Sequence, residues 1–201
     1  GEGAEGEEEG PPQPAGKIVA MVSAEGETVR FADHRAVDAE MPLLRGRAEL
    51  WLAHVEGAMR AAVGETVRRA LEDRDGSARG TWALAHPAQA VLAANALLWT
   101  ARVERALQAT ADAAPGPAGR SGEAQHLRRL TAELTADLGE IVDLVRGRLP
   151  TLSRTTLGAL IVLDVHQRDV AALLEERCAA DPADFEWQAQ LRHELDESQD
   201  R

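Results

Sequence analysis

Residues 121–150 read SGEAQHLRRLTAELTADLGEIVDLVRGRLP. Leu127, Leu130, Leu134, Leu138, Ile141, Val145 and Leu149 recur at intervals of three and four. That interval stacks them along one side of an α-helix and leaves the charges between them on the other. The spacing predicts a helix over about 121–148. Arg146 and Arg148 fall in its last turn, where cations offset the helix dipole, and Pro150 stops it.

The same rhythm extends outward in both directions. Downstream, 151–179 carries Leu157, Leu160, Ile161, Val165, Leu173 and Leu174 at helical spacing. Because Leu157 to Leu163 is apolar nearly all round, this helix is expected to be buried on more than one side. Asp181-Pro182 breaks it, and Asp184 is placed to cap a short helix bearing Phe185, Trp187 and Leu191. Upstream, Pro115-Gly116-Pro117-Ala118-Gly119 reads as a loop. Before it, 87–112 carries a stripe of Leu92, Ala96, Trp99, Val103 and Leu107. An earlier helix over about 46–73 presents Leu52, Val55, Met59, Val63, Val67 and Leu71 as its expected buried face, and Asp75-Gly76-Ser77 ends it.

Four helices of that length, each ~40 Å at ~1.5 Å per residue, joined by short connections, predict an all-α, antiparallel long-helix bundle. A small N-terminal β-hairpin precedes it. Ile18 to Val22 is a short apolar run, Glu25-Gly26-Glu27 signals a turn, and Thr28 to Phe31 can pair back. The expected organisation is an acidic Gly/Pro tail at 1–16, a hairpin and loop at 17–45, a helical segment at 46–196 and a polar tail at 197–201. The tail is expected to be disordered, having nothing to bury.

Composition supports helices. The apolar 44% is mostly Ala, Leu and Val, aromatics make up 3%, and tyrosine is absent. The net charge of −12 argues against general binding to nucleic acid or anionic lipid. One cysteine, Cys178, cannot form an internal disulfide and fits a reducing compartment. No run approaches the ~20 apolar residues that span a bilayer.

Catalytic signatures are missing. Gly10 to Ile18, GPPQPAGKI, is the nearest approach to a phosphate loop. It has one residue too many between its glycines, prolines where backbone N–H donors are needed, and Ile18 in place of a hydroxyl. His166 has Asp164 two before it and Asp169 three after. A two-ligand metal site is conceivable there, but a polar helix face with a local His–Asp contact is the simpler reading, since no HExxH or CxxC accompanies it. No Gly-x-Ser-x-Gly elbow is present. Trp51, Trp82, Trp99 and Trp187 lie one per segment, as packing anchors would. No catalytic, cofactor-binding or metal-binding residue is assigned.

Longer patterns are more specific. Ile141 to Leu149 (IVDLVRGRL), Leu157 to Val170 (LGALIVLDVHQRDV) and Phe185 to Arg192 (FEWQAQLR) resemble the end of the dynein heavy-chain linker, just before its ATPase ring. Upstream, MVSAEGETVRF at 21–31, WLAHVEGAM at 51–59 and HPAQAVLAANALLWT at 86–100 resemble that family's preceding segments, in the same order. The resemblance covers about 17–192, and the LVRG and DVH wording is closer to axonemal than to cytoplasmic members.

The resemblance implies a force-transmitting lever that swings across a ring of six AAA+ modules as the first of them turns over ATP. It implies as partners the ring of the same heavy chain, intermediate and light chains through a tail, and microtubules through a stalk, in a cilium or flagellum. ATP and Mg belong to the ring in that family. No ATP-binding residue is carried over, because the resemblance ends before the first Walker A loop. Asp164, His166, Arg168 and Asp169 form the family-like helix motif, and Phe185, Trp187 and Leu191 are the candidates for packing at the ring junction. His193-Glu194-Leu195-Asp196 departs from the aromatic continuation usual in the family. A stand-alone acidic helical adaptor without motor activity is the alternative.

Overall fold

The computed structural model describes residues 16–39, 47–113 and 125–195. Most of the acidic tail, the Gly/Pro loop at 115–119, Ser121 and the polar tail at 197–201 lie outside the described residues, as does most of the GPPQPAGKI stretch. The chain divides into two compact units, 1–65 and 66–201, with the boundary inside the first long helix.

In the first unit, β2 (Ala20–Val22) pairs antiparallel with β3 (Thr28–Arg30), which is the expected hairpin. Gly26 takes a φ of +87° in its turn, a conformation that glycine adopts without a Cβ penalty. A second antiparallel pair, not foreseen, joins β1 (Lys17–Ile18) to β4 (Val37–Asp38) on either side of a 3-10 turn at Asp33–Arg35. Phe31 and Val37 pack with Ala58 and Ala62 of helix α1 (Ala48–Asp73). Trp51 is half-buried and donates its indole N–H to the Asp38 carbonyl at 3.1 Å.

The apolar face read for α1 holds in part: Val55, Val67 and Leu71 are partly buried against core clusters, but the rest of the stripe is not. Leu52 is 57% exposed, and Met59 and Val63 are exposed too, while the alanines at 58 and 62 are buried. At 3.6 residues per turn these alanines lie roughly a quarter turn from the Leu52–Met59–Val63 stripe. Small side chains win the interface because they let the strands approach the helix closely.

In the second unit, α3 (Ala88–Asp112), α4 (Gln125–Arg146) and α5 (Thr151–Glu176) form an up-down-up bundle. Two core clusters fix the directions. Near one end, Ala90, Val91 and Ala94 of α3 meet Ile141 of α4 and Leu157 and Leu160 of α5. Near the other, Trp99, Val103 and Leu107 meet Leu127, Leu130 and Leu134, with Val170, Ala171 and Leu174. The leucine stripe of α4 is buried as its spacing requires.

The turn between α4 and α5 is closed by Arg154. Its guanidinium donates to the Val145 and Gly147 carbonyls at 2.7 and 3.0 Å. Carbonyls at a helix C-terminus have no partner within the helix, so the first turn of α5 caps the end of α4. The apolar run at Leu157–Leu163 is less enclosed than expected. Leu157 and Leu160 are fully buried, but Val162 is 68% exposed.

A seven-residue helix, α2 (Arg79–Ala85), precedes α3 and was not foreseen. After α5 comes a four-residue helix, α6 (Phe185–Gln188), the last among the described residues.

Candidate functional site

Two places in the second unit stand out: a polar cluster enclosed by α2, α3 and α5, and the seat of α6. In the first, Nη2 of Arg79 donates to both carboxylate oxygens of Asp164 at 2.6 and 2.7 Å, and to Oδ1 of Asn95 at 3.0 Å. The Asn95 amide donates to Asp164 Oδ1 at 3.2 Å and to Gln167 Oε1 at 3.0 Å. All four side chains are buried. The cluster is not fully satisfied, since Arg79 Nε is buried without a hydrogen-bond partner among the described residues.

Burial pushes the Asp164 carboxyl above its ordinary range. The charge of Arg79 and hydrogen bonds from Arg79 and Asn95 oppose that push, and the more distant Asp137 adds to it. A buried ion pair of this kind contributes little net stability, because desolvating two charges costs about what their attraction returns. Its chemistry is positional. One guanidinium nitrogen fixes α2 against both α3 and α5.

The family-like motif on α5 therefore splits. Asp164 points into the bundle. His166 and Asp169 are exposed, and Asp169 accepts from the Arg168 guanidinium at 2.6 Å. The acidic neighbours of His166 are thus engaged by Arg79 and Arg168, so the expected local His–Asp contact gives way to Arg–Asp pairs. Among the described residues, no group of three or more His, Cys, Asp or Glu side chains is placed to hold a metal ion. None of their helices is long and apolar enough to cross a membrane.

The second place is built on Asp184. Its Oδ1 accepts from the Glu186 amide at 3.0 Å, the capping role read from the sequence. Replacing Asp184 with alanine is expected to cost about 1 kcal/mol. Urea denaturation would show it as a lowered midpoint at unchanged slope.

The cap aims Trp187 into the core, where it is 0% exposed and meets Trp99 edge-on, the ring centroids 5.5 Å apart. Beyond it, the His193 amide donates to Thr100 Oγ1 at 3.1 Å and ties the chain back to α3. Trp187 thus spends its surface inside its own unit. Phe185 and Leu191, 77% and 76% exposed, are the two of the three junction candidates with surface to offer.

Sequence reasoning found Asp164 and missed Arg79, Asn95 and Gln167. The signal was available on α5. Leu157, Leu160, Asp164, Gln167, Ala171 and Leu174 follow one another at spacings of three and four, which puts two polar residues on the core stripe. Polar residues on such a stripe call for buried partners.

No family model matches the chain. Curated proteins do match. Dynein axonemal heavy chain 12 of Homo sapiens is 36% identical over 176 residues, which is 88% of this chain and 5% of that protein. The Mus musculus protein of the same name is 34% identical over 176 residues, again 88% and 5%. Dynein axonemal heavy chain 3 of Homo sapiens is 35% identical over 177 residues, or 88% and 4%. The chain spans about 5% of the length of the relatives it matches first.

Proposed function

Because the chain belongs to the axonemal dynein heavy chain family as the counterpart of one short segment, we propose that it serves as part of the heavy chain's linker. In that reading it is the root of the lever, next to the first ATPase module. The observation that carries it is the ordered run of six linker-like pieces from MVSAEGETVRF at 21–31 to FEWQAQLR at 185–192. The packing suits the task, since a close-packed bundle passes on displacement with little internal give.

ATP and Mg act in ring modules outside this segment. The ring of the same heavy chain is the direct partner, intermediate and light chains join through the tail, and microtubules join through the stalk. The axoneme is the place of work. Phe185 and Leu191 are the residues proposed to meet the ring.

The first test is an immunoblot of native extract with an antibody raised against residues 121–192. A band of several hundred kilodaltons supports the lever. A band near 21.6 kDa would instead indicate a helical protein living alone, and the adaptor reading would replace the lever. The second test replaces Phe185 and Leu191 together with serine in an intact heavy chain. Gliding speed is expected to fall several-fold while basal ATPase persists. In the isolated chain the same pair should shift stability by no more than about 0.5 kcal/mol, as exposed positions do. Unchanged gliding removes these two residues from the junction.

A further inference from the structure

Helix α2 is held by contacts that run to four other helices of its unit. Arg79, at its start, donates to Asp164 of α5 and Asn95 of α3. Gly80 lies so close to α4 that a Cβ there would sit 2.8 Å from Leu144 Cδ2. Trp82 is buried and donates its indole N–H at 2.7 Å to the carbonyl of Ala70, in the last turn of α1. Carbonyls of a last helical turn lack partners within the helix, so the indole caps α1. Arg74, one residue past α1, lies over the Trp82 ring at 5.7 Å. Just beyond α2, His86 Nε2 lies 3.3 Å from Asp73.

Seven residues are too few to form a stable helix by themselves, so α2 takes its position from these contacts. They also differ in kind. Apolar contacts have no direction of their own, whereas a guanidinium bound to three oxygens and an indole bound to one carbonyl each specify one position. The cluster around Arg79 is imperfectly satisfied, and in that condition a buried ion pair is better explained by fixing register than by adding stability.

We infer that α2 is a coupling wedge that holds the C-terminal end of α1 in register with the middle of α5. Displacing one relative to the other requires breaking a buried polar contact of α2, either that of Arg79 with Asp164 or that of Trp82 with the Ala70 carbonyl. The inference stands on the geometry of this unit and does not depend on the lever reading.

Hydrogen exchange on the full 201-residue chain tests it. Asp164→Asn removes the charge that holds Arg79 and alters nothing next to α1. Amides at 68–74 are expected to exchange about ten-fold faster than in the unaltered chain, because a loosened α2 withdraws the Trp82 cap and opens the helix end locally. Faster exchange confined to α3 and α5 around Asn95 and Asp164, with 68–74 protected as before, overturns the wedge. If Asp164→Asn abolishes protection everywhere, Arg79→Met with Asp164→Leu takes its place, since that pair leaves no buried charge alone. The same acceleration at 68–74, against a protected α4, is then expected. Unaltered protection there overturns the inference, and so does global unfolding of the second variant, which would make the cluster a requirement of the fold and not a register device.

Discussion

Truncating Trp187 to alanine is expected to lower stability by about 3–5 kcal/mol, the usual cost of emptying a large aromatic site in a core. The side chain has no exposure and packs edge-on against Trp99 in the cluster that joins α3, α4 and α5. Part of the loss is offset, because Trp187 Nε1 is buried without a hydrogen-bond partner among the described residues and its desolvation already counts against the folded state. Denaturation in urea, followed by circular dichroism, measures the change. A loss below about 1 kcal/mol would mean that the site collapses around the smaller side chain or that α6 is only loosely seated. For the proposed lever role the implication is specific. A Trp187→Ala defect in gliding would arise from a loosened bundle, whereas a Phe185 and Leu191 defect would arise with the bundle intact.

Asp164→Leu is the second large effect. It leaves the Arg79 guanidinium buried and unpaired, which costs about 3–5 kcal/mol. Adding Arg79→Met should restore most of that loss, since an apolar pair of similar volume removes both desolvation penalties. The two substitutions are therefore expected to be strongly non-additive, and a double-mutant cycle by thermal or urea melting reads the coupling.

The same pair gives a pH signature. Burial raises the Asp164 carboxyl above its ordinary 3.8, so the folded protein holds that proton more tightly than the unfolded chain. Between the raised value and 3.8, falling pH therefore favours the folded state through this group, the reverse of an ordinary salt-bridged aspartate. Relative to the charge-free double variant, the unaltered chain should gain stability as pH drops through that window. A relative loss there would mean that Arg79 outweighs burial.

How much of this was legible in the sequence depended on which residues did the burying. Helix α4 could be read with its core face intact, because four leucines and Ile141 fill that face and the residues between them are mostly charged or small. Helix α1 could be read as a helix but only in part by its buried side: Val55, Val67 and Leu71 do pack inward, whereas alanine carries too little hydrophobic signal for Ala58 and Ala62 to outvote Leu52, Met59 and Val63. Helix α2 was invisible. Seven residues give no periodicity, and the partner that fixes Arg79 lies 85 residues away in sequence.

The pairing of Lys17 with Asp38 is likewise too short to read before the fold is known. Among the proposed junction residues, the aromatic and apolar character of Phe185, Trp187 and Leu191 was plain, but their division into one inward and two outward residues was not. Within α6 that division follows from the Asp184 cap, which sets Trp187 inward and Phe185 outward.

The placement of the tryptophans has an optical consequence. With four tryptophans and no tyrosine, ultraviolet emission from this chain comes from indoles alone. Trp82, Trp99 and Trp187 belong to the second unit and are buried, whereas Trp51 belongs to the first and is half-buried. Blue-edge fluorescence is thus a built-in gauge of the second unit, and its red shift follows the opening of that unit without an added dye. The edge-on indoles of Trp99 and Trp187 are close enough to couple their transitions. Their near-ultraviolet dichroism should vanish when α6 leaves its seat, even while the helical signal persists.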